Sequence, residues 1–117
     1  MASATLPLHY AWLFLLAAGL LEIGWPVGIK IAQEGHRAVL GIAIAIVFMG
    51  LSGFCLWMAQ KAIPLGTAYA VWTGIGAAGT FIVGVVFFHD PAGFMKWVGV
   101  ALIIAGVVTL KLASGAH

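Results

Sequence analysis

The chain has 117 residues, of which 64% are hydrophobic and 7% charged, and its net charge is +2. A soluble domain carries roughly 25% charged residues, so this composition excludes a soluble globular fold. The basic residues are scattered along the chain rather than clustered, which excludes nucleic acid as a partner. A membrane-spanning helix needs about 20 mostly apolar residues, so the chain has room for about four spans and little else.

Four apolar runs follow one another along the chain, each close to the length of one bilayer crossing. Their approximate positions are residues 10–31, 38–59, 66–88 and 94–112, within one transmembrane domain, 1–117. The breaks between them contain half of the charged residues together with Gly and Pro, as expected where a chain leaves hydrocarbon for water. The sequence therefore predicts an all-α integral membrane protein with four transmembrane helices.

The orientation in the membrane is weakly specified. Lys30, Arg37 and Lys96 lie on the side of the first and third loops, and Lys61 and Lys111 lie on the other side. Because Lys and Arg favour the cytoplasmic side, this near balance leaves two interpretations open. In the first, the chain inserts into the membrane in both orientations and forms an antiparallel pair. In the second, a single orientation is set by weaker signals, such as the first helix. Four helices hardly enclose a polar pathway, so we expect at least a dimer.

Glu22 is the one acidic residue inside a predicted span, close to the middle of the first. A charged side chain at that depth costs roughly 2.5–3.5 kcal/mol and normally faces a protein interior or a water-filled cavity. All five basic residues lie in loops or near span ends; Lys30 and Lys111 fall within spans but close to their ends, where a lysine reaches the interface. We therefore interpret Glu22 as a site where a proton and a cation compete, rather than as half of an ion pair.

The residues near Glu22 fit this interpretation. Gly19 and Trp25 lie three residues before and after it, on the same helix face, and the Trp25 indole can donate to the carboxylate. Pro26 is expected to remove a backbone hydrogen bond and to kink the first helix close to the acid. The glycines of the third span, including Gly74 and Gly76, favour close helix approach or a bend.

With these features the chain resembles the small multidrug resistance transporters over essentially its whole length. The resemblance rests on chain length, four spans, the lone Glu22, and the run IPLGTAYAVWTGIG at residues 63–76. Within that family, the stretch from Glu22 to Trp25 looks like the guanidinium-exporter subtype. The quaternary-ammonium subtype has a small residue where Trp25 stands.

The resemblance implies an antiparallel homodimer in the bacterial inner membrane that exports guanidinium in exchange for protons. We expect no cofactor and no metal. Matched position by position, the family's proton- and substrate-binding residues are Gly19, Glu22, Trp25, Ser52, Tyr69 and Trp72. The resemblance also implies a bend in the third helix at Gly74 and Gly76, and a dimer contact at Gly99 and Gly106. Trp25, Ser52 and Trp72 can each donate a hydrogen bond to Glu22.

One departure from the family pattern bears on the substrate. Gly53 follows Ser52 where the family commonly has Phe, so the edge of the site formed by Met49 and Gly53 is expected to open toward lipid. We therefore expect substituted guanidinyl cations, such as guanylurea or biguanides, to be accepted as well as guanidinium.

Three alternatives differ in class. The first is a polyspecific exporter of quaternary ammonium ions, and the second is a structural subunit of a larger membrane complex that does not transport. An enzyme is disfavoured, because Glu34 and Asp90 lie in loops and no His, Cys, Asp or Glu cluster has metal-ligand spacing.

Overall fold

A computed structural model describes residues 6–114, and this part of the chain is built from helices. In chain order they are α1 (Leu8–Glu22), α2 (Gly24–Ala32), α3 (Ala38–Ala59), α4 (Leu65–Phe88) and α5 (Phe94–Ser114). α1 and α2 together form one rod of 25 residues, and the other three helices have 22, 24 and 21 residues. At about 1.5 Å per residue, each rod can cross the ~30 Å hydrocarbon core. The prediction of an all-α protein with four membrane-spanning helices is confirmed.

The first rod is interrupted next to Glu22. α1 ends at Glu22 and α2 begins two residues later, leaving Ile23 between them. Pro26 has no N–H to donate to the Glu22 carbonyl four residues back, and its ring crowds that carbonyl. The bonding is also irregular at Ile23, whose N–H donates to Leu20 O, three residues back rather than four, at 3.2 Å. The break in regular helical bonding predicted from Pro26 is therefore present at Ile23, directly beside the acid, and the kink stays a prediction.

Two connections contain residues in the left-handed backbone region. Gly35, between α2 and α3, has φ 63°, and His89, directly after α4, has φ 59°. Glycine adopts this conformation without steric cost because it has no Cβ, whereas histidine adopts it less readily. The turn at His89 lets the Asp90 N–H donate to Gly84 O at 3.0 Å, so the chain folds back over the last turn of α4.

The four rods stand in a row rather than in a closed bundle. The first rod packs between α3 and α4, and α5 packs against α4. The Cα atoms extend over 49 × 35 × 16 Å. The shortest of these dimensions, 16 Å, is less than half of the next, so the protomer is flat. Both of its broad faces are exposed over most of their area.

The contacts between rods are made mostly by small residues. Fully buried positions in the described part of the chain are Ala11, Leu15, Ala18, Ser52, Ala59 and Ala68. In a membrane, helices associate through close packing rather than the hydrophobic effect, and small residues permit that packing. The first rod is thereby held close to α3 and α4, which brings residues of these helices within hydrogen-bond reach of Glu22.

A backbone-to-backbone crossing joins α2 to α3. A methyl group at Gly28 would lie 2.7 Å from Ala45 N and 2.8 Å from Gly41 O. The same crossing leaves no room at Gly41, where a methyl group would lie 2.5 Å from Gly28 O. Glycine at both positions is therefore required for the observed approach of the two helices.

Candidate functional site

Glu22 is partly buried at the end of α1, where the first rod faces both α3 and α4. The Trp25 Nε1–H donates to Glu22 Oε2 at 2.7 Å, as the i+3 spacing predicted. This short charge-assisted bond connects α1 to α2 across the irregular turn at Ile23. One carboxylate oxygen is thereby held in a fixed position.

Ser52, on α3, is fully buried against Glu22 and the end of α1. Its Oγ lies 2.7 Å from Ala18 O and 3.3 Å from Glu22 Oε1. A serine hydroxyl has one proton to donate and two lone pairs. When Glu22 is ionised, the Ser52 hydroxyl can donate its proton to the carboxylate. When Glu22 is protonated, its own O–H can donate to Ser52 Oγ, and the Ser52 hydroxyl then donates to Ala18 O. Both protonation states of Glu22 are therefore satisfied without moving a helix.

Trp72, on α4, reaches Glu22 indirectly. Its Nε1–H donates to Ser52 Oγ at 2.9 Å, rather than to the carboxylate as we expected from the sequence. Tyr69 lies one turn earlier, with its ring edge-on to Trp72 at a centroid distance of 5.4 Å and 54% of its surface exposed. The hydrogen-bonded chain therefore runs from α4 through α3 to the acid, and Tyr69 borders its exposed end.

A cavity of about 440 Å³ opens beside Glu22 between the first rod and α4; we call it the Glu22 cavity. Residues lining it with Glu22 include Pro26, Thr73, Gly76, Ala77, Thr80 and Phe81. A methyl group at Gly76 would lie 2.6 Å from Glu22 Cγ, so glycine is needed there for the acid to lie against α4. Thr73, Thr80 and Phe81 were not among the predicted site residues, although positions 73, 76, 77 and 80 share one face of a helix.

The other predicted glycines fall into two groups. Methyl groups at Gly19 and Gly74 would lie 2.7 Å from Ile75 Cβ and 2.6 Å from Val107 Cγ2, so both mark close contacts of α4. α4 runs as one helix through Gly74 and Gly76, and their role in a bend stays a prediction. Gly99 and Gly106 lie on exposed parts of α5, where a methyl group would meet no atom within 4 Å among the described residues.

The predicted portal lies on the exposed surface of α3. Met49 is 51% exposed, and a methyl group at Gly53 would meet nothing within 4 Å. Gly53 directly follows Ser52, which contacts Glu22. A side chain at position 53 would displace no described residue, and the role of this position as a portal stays a prediction.

The hydrogen-bond partners of the Glu22 carboxylate among residues 6–114 are Trp25 and Ser52, with no basic side chain. Two lysines instead lie over aromatic rings: Lys61 lies 5.1 Å from the centre of Trp57, and Lys111 lies 4.9 Å from the centre of Trp12. The described residues contain no group of three or more His, Cys, Asp or Glu side chains able to hold a metal ion. The positive charge that balances an ionised Glu22 must therefore come from outside these residues.

Comparisons with known proteins give relatives over most of the chain. Residues 10–103 match the family model described as Small Multidrug Resistance protein. A guanidinium exporter of Yersinia pseudotuberculosis is 47% identical over 104 residues, which cover 89% of this chain and 99% of that protein. Guanidinium exporters of Escherichia coli and Salmonella typhimurium are 43% and 42% identical, each over 89% of this chain and 98% of the relative.

These relatives are named as exporters, so the chain is a transport protein and not an enzyme. Four helices able to cross a bilayer, together with bacterial exporters as relatives, make it a multi-pass protein of the bacterial inner membrane. The family model and the relatives agree with the resemblance drawn from Glu22 and residues 63–76. The chain belongs to the small multidrug resistance family.

Proposed function

We propose that the chain exports guanidinium and substituted guanidinyl cations across the inner membrane in exchange for protons. The observation that carries the proposal is that hydrogen bonds fix the position of the Glu22 carboxylate: Trp25 donates to Oε2 and Ser52 Oγ lies within hydrogen-bond distance of Oε1. A carboxylate has about four lone-pair sites, so about two remain for a ligand. A planar guanidinium ion offers two parallel N–H donors in the geometry that fills such a pair. The names of the bacterial relatives support the same substrate.

A quaternary ammonium ion fits this site less well. It has no N–H donor, so it would contact Glu22 by charge alone and leave the two acceptor sites unpaired. Unpaired buried acceptors cost about 1–3 kcal/mol each. Trp25 also occupies space beside the acid, because its indole N–H is bonded to the carboxylate. We therefore favour guanidinyl cations over the quaternary-ammonium alternative.

The bonding around Ser52 supports the proposed exchange of protons. Its hydroxyl can serve either protonation state of Glu22, since Ala18 O lies within 2.7 Å as the second acceptor. A proton on Glu22 removes the charge that attracts the cation, and a bound cation favours the ionised acid. One carboxylate therefore carries either a proton or a cation, which is the requirement for exchange at a single site.

Substituted guanidinyl cations are supported by the space around the site. The Glu22 cavity of about 440 Å³ is within the size range of small-molecule pockets, ~300–1,000 Å³. A larger group on the cation can therefore occupy this cavity between the first rod and α4 while the planar head stays on Glu22. On the α3 side of the acid, the open position at Gly53 beside Ser52 leaves further space toward lipid.

Transport by the purified chain, reconstituted alone into vesicles containing a pH indicator, tests this function. Guanidinium, guanylurea and a biguanide should each drive proton movement, and tetraethylammonium should not. Gly53→Phe should reduce the rates for the two larger cations by about fivefold, equivalent to roughly 1 kcal/mol, because its ring narrows the edge of the site. Guanidinium itself should be little affected.

The control is Leu51→Phe, which adds a ring to an exposed position of α3 about 200° around the helix from Gly53. It should leave the substrate profile unchanged. If none of the cations moves, the chain is better described as a structural subunit. If guanidinium alone moves, or if Gly53→Phe leaves the profile unchanged, the broader substrate range is wrong.

We also propose that the working unit is an antiparallel homodimer with one Glu22 from each subunit in a shared site. The protomer is flat, with its Cα atoms spanning 16 Å in the shortest dimension, and the Glu22 cavity is open to its surface. A second copy covering that face would enclose it. Gly99 and Gly106 offer an exposed strip of α5 on which a second helix could pack closely. The weak charge bias between the two membrane sides favours insertion in both orientations.

Dual insertion can be measured by labelling one exposed loop. Glu34→Cys, in a Cys55→Ala background, places a single thiol between α2 and α3. In cells, an impermeant maleimide should label about half of the protein, since the two orientations are nearly balanced. The rest should react only after permeabilisation. If all of the protein, or none of it, were labelled in intact cells, the chain would have a single fixed topology.

A further inference from the structure

A second cavity lies between α2 and α4, toward the ends of these helices that face the first and third loops. It measures about 160 Å³, and we call it the loop-side cavity. Lys30, Gly84 and Asp90 line it, and so do Pro26 and Thr80, which also line the Glu22 cavity. Since a water molecule occupies about 30 Å³ in the liquid, there is room for several waters. The two cavities therefore lie next to each other along α2 and α4, and we call the line that runs from the loops through both of them to Glu22 the α2–α4 path.

The backbone holds Asp90 at the mouth of this path. The left-handed turn at His89 directs the Asp90 N–H to Gly84 O, 3.0 Å away. The carboxyl group then lies over the Cα of Gly84: a methyl group there would collide with Oδ2 and lie 3.3 Å from Cγ. Glycine at position 84 thus leaves the space that the Asp90 carboxylate occupies.

The charges around the mouth make this acid important for a cation. Lys30 lines the same cavity on α2, and Lys96 lines a neighbouring cavity that also includes Asp90. Lys96 Nζ is within 3.4 Å of Pro91 O, so it stays close to the same loop. Without Asp90, the mouth would have two positive charges and no negative one. Asp90 lowers the net positive charge of the mouth from two to one and supplies its carboxylate, so without Asp90 an approaching cation would meet stronger repulsion at the entrance of the path to Glu22.

We infer that Asp90 is a second cation-binding carboxylate, which receives guanidinyl cations at the membrane surface and passes them along the α2–α4 path to Glu22. Thr80, at the junction of the two cavities, supplies a hydroxyl group partway along this path. The inference rests on the proposed export function and adds an entry site to it. In an antiparallel pair, one such site would face each side of the membrane.

Asp90→Asn in reconstituted vesicles tests this inference through the split between KM and kcat. At about 0.01 M salt, where the Debye length is ~30 Å, the KM for guanidinium should rise by about 3- to 10-fold with kcat unchanged. At about 1 M salt, where the Debye length is ~3 Å, the difference from the unsubstituted chain should nearly disappear. Asp90→Glu retains the charge and should keep KM within about twofold.

Two further variants separate charge from position. Glu34→Gln removes an exposed acid from the first loop, on the same membrane side but outside the cavity lining, and should raise KM by less than about twofold even at low salt. Gly84→Ala keeps the charge but displaces the carboxylate, and should raise KM about as much as Asp90→Asn.

The inference is overturned if Asp90→Asn transports guanidinium with unchanged KM at low salt, or if its rise in KM is independent of salt. An equal rise in Glu34→Gln would also overturn it, because the effect would then be one of total surface charge. Failure of the export proposal would be distinguishable, because the unsubstituted chain would then transport no guanidinium.

Discussion

Glu22→Gln should abolish guanidinium transport and the proton release that accompanies substrate binding. Glutamine has the same shape, and its side-chain carbonyl can still accept the Trp25 N–H while its amide faces Ser52. The substitution therefore keeps the hydrogen bonds seen at 2.7 and 3.3 Å but removes the charge and the titratable proton. Two hydrogen bonds from a cation to a carboxylate contribute about 1.5–3 kcal/mol each, so affinity should fall by at least about 100-fold.

Substrate titration in detergent measures the loss, with tryptophan fluorescence reporting binding and a pH indicator reporting protons. Trp25 and Trp72 lie within the hydrogen-bonded network, so their emission should respond to a cation at Glu22. Glu34→Gln makes the same chemical change in an exposed loop and should behave as the unsubstituted chain. Saturable binding of guanidinium by Glu22→Gln would remove the mechanism proposed for this site.

The sequence was sufficient for the parts of the site that depend on a single helix. The bond between Trp25 and Glu22 follows from a spacing of three residues, which places both side chains on one face. The interruption at Ile23 follows from Pro26, because a proline alters the hydrogen bonding of its own helix. The four apolar rods follow from composition and length, since lipid admits few other structures.

Contacts between helices were harder to predict, because they depend on the relative rotation and height of neighbouring rods. Trp72 donates to Ser52 rather than to Glu22, and Ser52 has Ala18 O as a second acceptor. No pattern within α3 or α4 distinguishes these partners. The family resemblance selected Ser52 and Trp72, but the order of the bonds required the packed structure.

The position of the Asp90 side chain was also not predictable from the sequence. The sequence placed Asp90 in a loop, and this placement was used only as an argument that the chain is not an enzyme. Its position over Gly84 depends on the left-handed backbone of His89, an uncommon conformation for a residue with a Cβ. The backbone conformation of the single residue His89 therefore determines whether the Asp90 carboxylate lines the loop-side cavity or points into bulk water.

Gly41→Val should destabilise the protein strongly, because α3 touches α2 through backbone atoms at this position. A side chain at Gly41 would lie 2.5 Å from Gly28 O and 2.6 Å from Ala32 Cα, and backbone atoms cannot rotate away. Overpacking costs typically about 1–3 kcal/mol and more where relief requires a helix to move. We expect a loss of about 3 kcal/mol in the free energy of unfolding, measured by denaturant titration in detergent micelles.

Gly50→Val provides the matched control in the same helix. A methyl group at Gly50 would meet nothing within 4 Å, so valine there changes helix propensity without changing the packing. Its free energy of unfolding should stay within about 0.5 kcal/mol of the unsubstituted chain. Because Ser52 lies on α3 and Glu22 at the end of α1, separating α2 from α3 in Gly41→Val should also weaken guanidinium binding. Equal losses of stability in the two variants would show that the crossing at Gly28 and Gly41 is not what holds α3 in place beside Glu22.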